Sequence, residues 1–289
     1  MKLHKIAMIM ACMVSTPALA WSNGDFNGTV DIGGSVTPEQ YSQLWQWKVG
    51  TGLNNFTSDI ESMTDNSTRL TIEITEPKAI FLGNTKSPVV AYNGAVGITP
   101  RISFTDFEDN NVTLSYEQGA AEGVGYFNLP VKNRDTNEKI GTVKVNAMNN
   151  AVSVSQYTHN GQKYAKAINI KPTGNGHLFY GALFSRVMSN ATNQGDAFAT
   201  KFGNVGNNTL KNVLTSHPLT ESSLTWLSSN PVHVSLTMNG AGVNAHQGVL
   251  GLSYTMGIDA GQTLELTFDN PITSTTKWSA PLNVAVTYN

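Results

Sequence analysis

The chain has 289 residues, a formal net charge of −2 and only 13% charged residues, well below the usual quarter. No basic cluster accompanies that charge, so nucleic acid and anionic membrane surfaces are poor partners. Its one cysteine, Cys12, cannot support a disulfide framework or a thiolate metal cage.

Residues 1–20 read as a secretory signal peptide. Lys2 and Lys5 supply the charged region, Ile6 to Val14 is almost wholly apolar, and Ala18-Leu19-Ala20 offers small residues for cleavage. The apolar run is shorter than the roughly 20 residues a bilayer span needs. Ile9-Met10-Ala11-Cys12 also resembles a lipoprotein processing site, which would tether the chain through Cys12. The apolar run continues through Met13 and Val14 into Pro17 and Ala20, which favours the later cut. The mature chain then begins at Trp21 and has 269 residues, no cysteine, and 16 basic against 20 acidic side chains. An exported protein of this kind relies on core packing and backbone pairing alone.

The next segment alternates. Phe26, Gly28, Val30 and Ile32 occupy every second position, so one face of a strand would carry them all. Gly24, Gly28, Gly33 and Gly34 weaken an ordinary strand but suit one that threads a narrow groove. Residues 21–37 are therefore expected to form an N-terminal donor strand, and residues 38–289 the body it belongs to.

Period-two segments continue along the body. Leu70, Ile72 and Ile74 form one; Val143 with Val145, and Val152 with Val154, form two more. Val232, Val234 and Leu236 make another, and Leu264, Leu266 and Phe268 the next. Turn residues punctuate them at Asn93-Gly94, Asp109-Asn110-Asn111, Asn160-Gly161, Asn239-Gly240 and Asp269-Asn270-Pro271. Short alternating strands between turns predict an all-β sandwich. From about residue 174 to 230 the spacing turns helical: Phe198, Phe202 and Val205 form one set, and Leu210, Val213 and Leu214 another, with Asn208 or Thr209 as a cap. A simple immunoglobulin-like sandwich needs about 100 residues. The surplus predicts an inserted mixed α/β-loop region at about 147–230, the natural place for a specific binding activity.

Catalytic patterns are thin. Ser274 and Lys277 match S-x-x-K in a Thr-rich stretch with no companion K-T-G motif, and chance explains them. His159, His177, His217, His233 and His246 are never spaced i, i+4, and H-E-x-x-H is absent; they read as surface or hydrogen-bonding residues. Asp106 to Asn111 carries oxygen ligands without calcium-loop spacing and reads as a solvated turn. No enzyme, cofactor or metal site is expected. A sugar site needs an aromatic face with polar groups beside it. Tyr157, His159, Tyr164, His177 and Trp226 lie in or beside the insertion, and none is singled out.

The last alternating segment is PLNVAVTYN. Leu282, Val284, Val286 and Tyr288 share one face, with no chain left to cover a neighbour. Alternating segments at both termini suggest a sheet completed by another molecule's strand.

Six stretches carry a family resemblance: Gly24–Val36 (GDFNGTVDIGGSV), Trp45–Phe56 (WQWKVGTGLNNF), Gly141–Ala147 (GTVKVNA), Phe179–Leu183 (FYGAL), Gly257–Thr263 (GIDAGQT) and Lys277–Tyr288 (KWSAPLNVAVTY). In nearly collinear order they resemble the FaeG-type fimbrial major subunits and adhesins of enterotoxigenic Escherichia coli. The resemblance implies an incomplete immunoglobulin-like pilin sandwich, exported through the periplasm and completed by donor-strand exchange in fimbriae on the cell surface. It implies a periplasmic chaperone, an outer-membrane usher, identical or related subunits and a host glycan receptor as partners. Phe26, Gly28, Val30 and Ile32 would be the inserting face; Leu282, Val284, Val286 and Tyr288 would be the chaperone-recognising wall of the groove. The resemblance thins at 148–177 and 188–232, where a receptor site is expected, so no receptor sugar or binding residue carries over. A major or a minor subunit would fit equally. The competing reading is a free-standing secreted or periplasmic carbohydrate-binding protein whose terminal strands close one sandwich within a single chain.

Overall fold

The computed structural model describes residues 22–23, 26–30, 35–38, 44–91, 99–227, 233–234 and 248–288, with side chains at 44–90, 99–227 and 248–288. The signal segment, Ile32, the Asn93-Gly94 and Asn239-Gly240 turns, Val232 and Leu236 lie outside that set. Strands come first: β1 (Ser22–Asn23), β2 (Phe26–Val30), β3 (Ser35–Pro38), β4 (Trp45–Val49), β5 (Arg69–Glu73), β6 (Lys78–Thr85), β7 (Val89–Ala91) and β8 (Pro100–Thr105). The middle of the chain holds β9 (Val124–Asn133), β10 (Lys139–His159) and β11 (Gln162–Ile170), then helices α1 (Asp196–Lys201) and α2 (Asn207–Thr215). After these come β12 (Thr225–Trp226), β13 (His233–Val234), β14 (Gly248–Ile258), β15 (Thr263–Phe268), β16 (Trp278–Ser279) and β17 (Leu282–Tyr288).

β10 is the spine of the larger sheet. At 21 residues it is about 70 Å long. Along one edge its first half pairs β9 and its second half β11; along the other edge lie β15 and then β14. β15 continues to β5, and β14 to β6, β7 and, through β6, to β4. The sheet is mixed, because β12 and β13 run parallel to β11. The smaller sheet has the order β3-β2-β17-β8.

The sequence reads Val143–Val145 and Val152–Val154 as separate segments, and the structure fuses them into β10. In its first half burial alternates, with Val143, Val145 and Ala147 inward. From Asn149 to Val154 every residue is buried. That stretch is covered on both faces, and the strand emerges to solvent at Tyr157–His159. Ala151 joins the main core, whereas Val152 and Val154 meet Ala165, Leu210, Leu214 and Val249 under the inserted region. The expected start of that insertion, position 147, thus lies within an uninterrupted strand.

Buried asparagines clip the insertion to the sheet. Asn149 donates to the Ala182 carbonyl at 3.2 Å and accepts from the Phe184 N–H at 3.0 Å. Asn169 donates to the Met188 carbonyl at 2.6 Å. Asn204 donates to the Tyr254 carbonyl and to the Thr255 hydroxyl, both at 2.8 Å, and accepts from Asn84 at 3.2 Å. Amides suit the task, since each can donate and accept at once and so satisfy loop backbone that a sheet ladder cannot reach.

The second helical set forms whole in α2, whereas of the first only Phe198 lies within α1, with Phe202 as its C-cap and Val205 in the link between the helices. Phe198 and Phe202 meet edge to face at 4.9 Å over Leu82 and Met188. Leu210 and Leu214 are wholly buried. The cap differs from expectation. Gly206 is the N-cap residue of α2 and makes no side-chain cap bond; the Asp196 carboxylate on α1 accepts the Asn207 N–H instead. Asn208 is turned away, accepting from Trp226 Nε1 at 3.0 Å. The Asn160-Gly161 turn closes the β10–β11 hairpin with φ of 49° and 77°, the left-handed pair a two-residue type I′ turn requires.

Between the two sheets lies an aromatic stack. Trp45 and Trp47 are parallel at 5.0 Å, and Trp47 and Phe81 at 5.3 Å; Phe179 and Tyr254 close the group. Phe179 reaches it from a left-handed backbone position, φ 61°. The Tyr254 hydroxyl donates to the Ala182 carbonyl at 2.7 Å, and burial pushes its phenol far above the ordinary tyrosine range. A β-carbon on Gly83 would stand 2.0 Å from the Trp47 ring. Gly83→Ala should therefore cost about 1–3 kcal/mol through overpacking. In urea unfolding the midpoint should fall with the slope unchanged.

Candidate functional site

The two terminal segments singled out by their alternation meet. β2 runs antiparallel to β17, with Val30 opposite Leu282, Gly28 opposite Val284 and Phe26 opposite Val286. On the other edge of β17 lies β8, with Phe104 opposite Val284 and Ile102 opposite Val286. Leu282, Val284 and Val286 are at most 1% exposed, and with Ile102 and Phe104 they join the same core as the aromatic stack. Tyr288 is half-buried, and its hydroxyl accepts the Trp47 indole N–H at 2.9 Å. That bond ties β17 to β4, and no spacing in the sequence marks it.

Within one chain, then, the position beside β17 is filled by the chain's own N-terminal strand rather than by a second molecule. β17 is held to the body by β8, by the Trp47–Tyr288 bond and by Asn283, which donates to the Asp106 carbonyl at 2.9 Å. Asp106 is buried and organises its turn, accepting from the N–H groups of Glu108 and Asn110 at 2.8 and 3.0 Å. Removing β2 would leave β17 with an open edge.

The register also defines two poles. Leu282, the β9–β10 turn and the end of β15 lie at the lower pole. Tyr288 and the tip of the β10–β11 hairpin lie toward the upper one. On that hairpin Tyr157 is 42% exposed, stands opposite Tyr164 and has Lys166 Nζ 4.7 Å from its ring centre. On the other face, Trp226 beside Ala165 has Lys211 Nζ at 5.3 Å.

The remaining motifs have local roles. Lys277 reaches Asp135 at 3.5 Å, and the Ser274 carbonyl accepts from Thr276 at 3.1 Å. The His177 ring accepts from the Thr173 N–H at 3.0 Å, and the His217 ring from the Leu219 N–H at 3.2 Å.

A family model described as fimbrial, major and minor subunit matches residues 1–289. The chain belongs to this family of fimbrial subunits. It is 39% identical to the K88 fimbrial protein AD of Escherichia coli and 38% identical to K88 fimbrial protein AB, each match spanning 100% of both chains. The F41 fimbrial protein of Escherichia coli is 22% identical over 98% of this chain and 97% of its own length. As a fimbrial subunit of the K88 type, the protein is a structural, non-enzymatic component of surface fimbriae that assembles with related subunits. The free-standing carbohydrate-binding alternative is set aside by this full-length match.

Val284 is the central contact of the β17 strip in this fimbrial subunit. Val284→Ala deletes two buried methyl groups and should destabilise the purified chain by about 2 kcal/mol. In the same urea titration Asn283→Ser, on the opposite face, should cost about 1 kcal/mol or less.

Proposed function

We propose that this fimbrial subunit polymerises by donor-strand exchange, with residues 21–37 completing the small sheet of the next subunit. What supports the reading is the place of β17: one edge rests on β8 of the body, the other on a segment that is covalently joined to the body at one end and meets it at the other only through the two-residue pairing of β1 with β4. A strand in that position can be replaced by an identical strand from another copy with the same register. Phe26, Gly28, Val30 and Ile32 would form the inserting face, opposite Leu282, Val284, Val286 and the body's core. A periplasmic chaperone would cover the open edge first, and an outer-membrane usher would hand the subunit on. At roughly 25 cal/mol per Å² of apolar surface, several inserted side chains supply several kcal/mol, and the continuous ladder slows release.

Alternation supplies a sharp test. Fimbriae with the natural sequence should run as a ladder of multimers on an unheated denaturing gel, and a chain lacking residues 21–37 should not. Val30→Asp, opposite Leu282, should abolish the ladder, whereas Thr29→Asp, opposite Asn283, should retain it. Monomers alone from the natural sequence would overturn the mechanism.

The inserted region is the proposed carbohydrate-binding part of the subunit. Tyr157 and Trp226 give it two aromatic rings, each with a lysine ammonium, Lys166 or Lys211, over one side, and a sugar ring would use the ring together with such polar groups. Tyr157→Ala or Trp226→Ala should weaken binding to host-cell glycans about tenfold while leaving the multimer ladder intact. Unchanged binding by both variants would remove these two faces from consideration.

A further inference from the structure

Charge is divided unequally along the chain. Residues 147–230 carry six basic side chains, Lys163, Lys166, Lys171, Arg186, Lys201 and Lys211, against two acidic ones, Asp196 and Glu221. Residues 21–146 and 231–289 carry 10 basic against 18 acidic. No two of the six cations are adjacent in sequence, so the bias belongs to the inserted region as a whole and forms no basic run. Both of its acids are engaged: the Asp196 carboxylate accepts the Asn207 N–H, and Glu221 is paired with Lys163 at 2.8 Å. A basic insertion on an acidic body draws anionic ligands to the insertion and repels them elsewhere.

One face of the β10–β11 hairpin gathers the groups such a ligand needs. Ser155, Tyr157 and His159 of β10 lie on the same side as their partners Lys166, Tyr164 and Gln162 of β11, in three alternate rungs. Those rungs cover about 14 Å, long enough for a short oligosaccharide. Tyr157, His159 and Gln162 are exposed. The Tyr164 hydroxyl donates to Gln162 Oε1 at 2.7 Å, which leaves the Tyr164 oxygen to accept and the Gln162 amide to donate. The Lys166 ammonium, 4.7 Å from the Tyr157 ring centre, has no ion pair among the described residues. None of the six residues on this face is acidic, and Glu221 is held on the opposite face by Lys163 and Gln156. Trp226 lacks this arrangement. Its indole N–H is spent on Asn208, and Lys211 donates to the Leu224 carbonyl at 3.3 Å.

We propose that this hairpin face binds an acidic saccharide, with a carboxylate or sulfate on Lys166 and a sugar ring against Tyr157. The proposal rests on the carbohydrate-binding reading above and names the class of sugar. An ammonium over an aromatic ring keeps N–H donors that the ring does not satisfy, and an anion takes them up as charge-assisted hydrogen bonds. A neutral sugar gains the ring only by displacing the ammonium, with no new partner for its charge. Ser155, His159, Gln162 and Tyr164 supply polar groups for the sugar hydroxyls.

The test uses purified fimbriae on an array that presents the same oligosaccharide backbones in uncharged, sialylated and sulfated forms. Acidic forms should be bound roughly fivefold more tightly than their uncharged counterparts. The sialylated and sulfated arms tell which acid is preferred. Lys166→Gln should erase the preference and Lys166→Arg should keep it. Lys163→Gln, which removes the same charge from the opposite face, should also keep it. The unheated multimer ladder of each variant reports folding and assembly separately. Equal binding of acidic and uncharged forms, a preference that survives Lys166→Gln, or an equal loss in Lys163→Gln would overturn this assignment and leave carbohydrate binding in place. Fimbriae of the natural sequence that bind no form on the array would overturn both.

Discussion

β17 has two edges, and the body of the molecule fills only one of them. Its inward residues Leu282, Val284 and Val286 are core residues, continuous with Phe104, Ile102 and the stacked indoles of Trp45 and Trp47. A strand with a buried face and an open edge exposes both apolar surface and unpaired backbone, which together favour capture of another strand. Here the capture is made by β2 of the same chain. The ladder depends only on register and direction, and the exchange proposed above would repeat the same five residue pairs between copies.

The rest of the body holds β17 in place. β8 pairs the inner edge of β17, the Trp47 indole is bonded to Tyr288, and Asn283 is bonded to the turn organised by Asp106. Gly83 gives the Trp47 ring its room. Deformation of the aromatic stack would therefore reach the groove directly, because close-packed interiors transmit strain instead of absorbing it.

The inserted region is added to the back of the same framework. β10 and β14 run on past the sandwich, and Asn149–Val154 of β10 with Val249–Ser253 of β14 are buried on both faces because α2 and its loops cover the second face. Gly251 lets the α2 backbone approach, since a β-carbon there would stand 2.6 Å from the Leu210 carbonyl oxygen. Asn149, Asn169 and Asn204 fix the loops in place. This separation lets surface aromatics such as Tyr157 and Trp226 vary while the groove stays unchanged, which matches a family resemblance strong at the termini and thin at 148–177 and 188–232.

Period-two patterning determined a good deal from the sequence alone. It marked the strands at 70–74, 264–268 and 282–288, the Asn160-Gly161 turn and the alternation of the donor segment, because a strand's two faces are written directly into neighbouring positions. Helical spacing likewise marked Phe198–Phe202 and Leu210–Leu214. What only the tertiary structure decided involves partners distant in the chain. Asn149 and Asn150 could not be recognised as mid-strand residues until Asn149 met Ala182 and Phe184, and Asn150 met Asn169. The cap of α2 came from Asp196, eleven positions before Asn207, and the acceptor for Trp47 came from Tyr288. Local patterns record which face of a strand is apolar; which strand or loop covers that face depends on long-range packing, to which no spacing rule in the sequence corresponds.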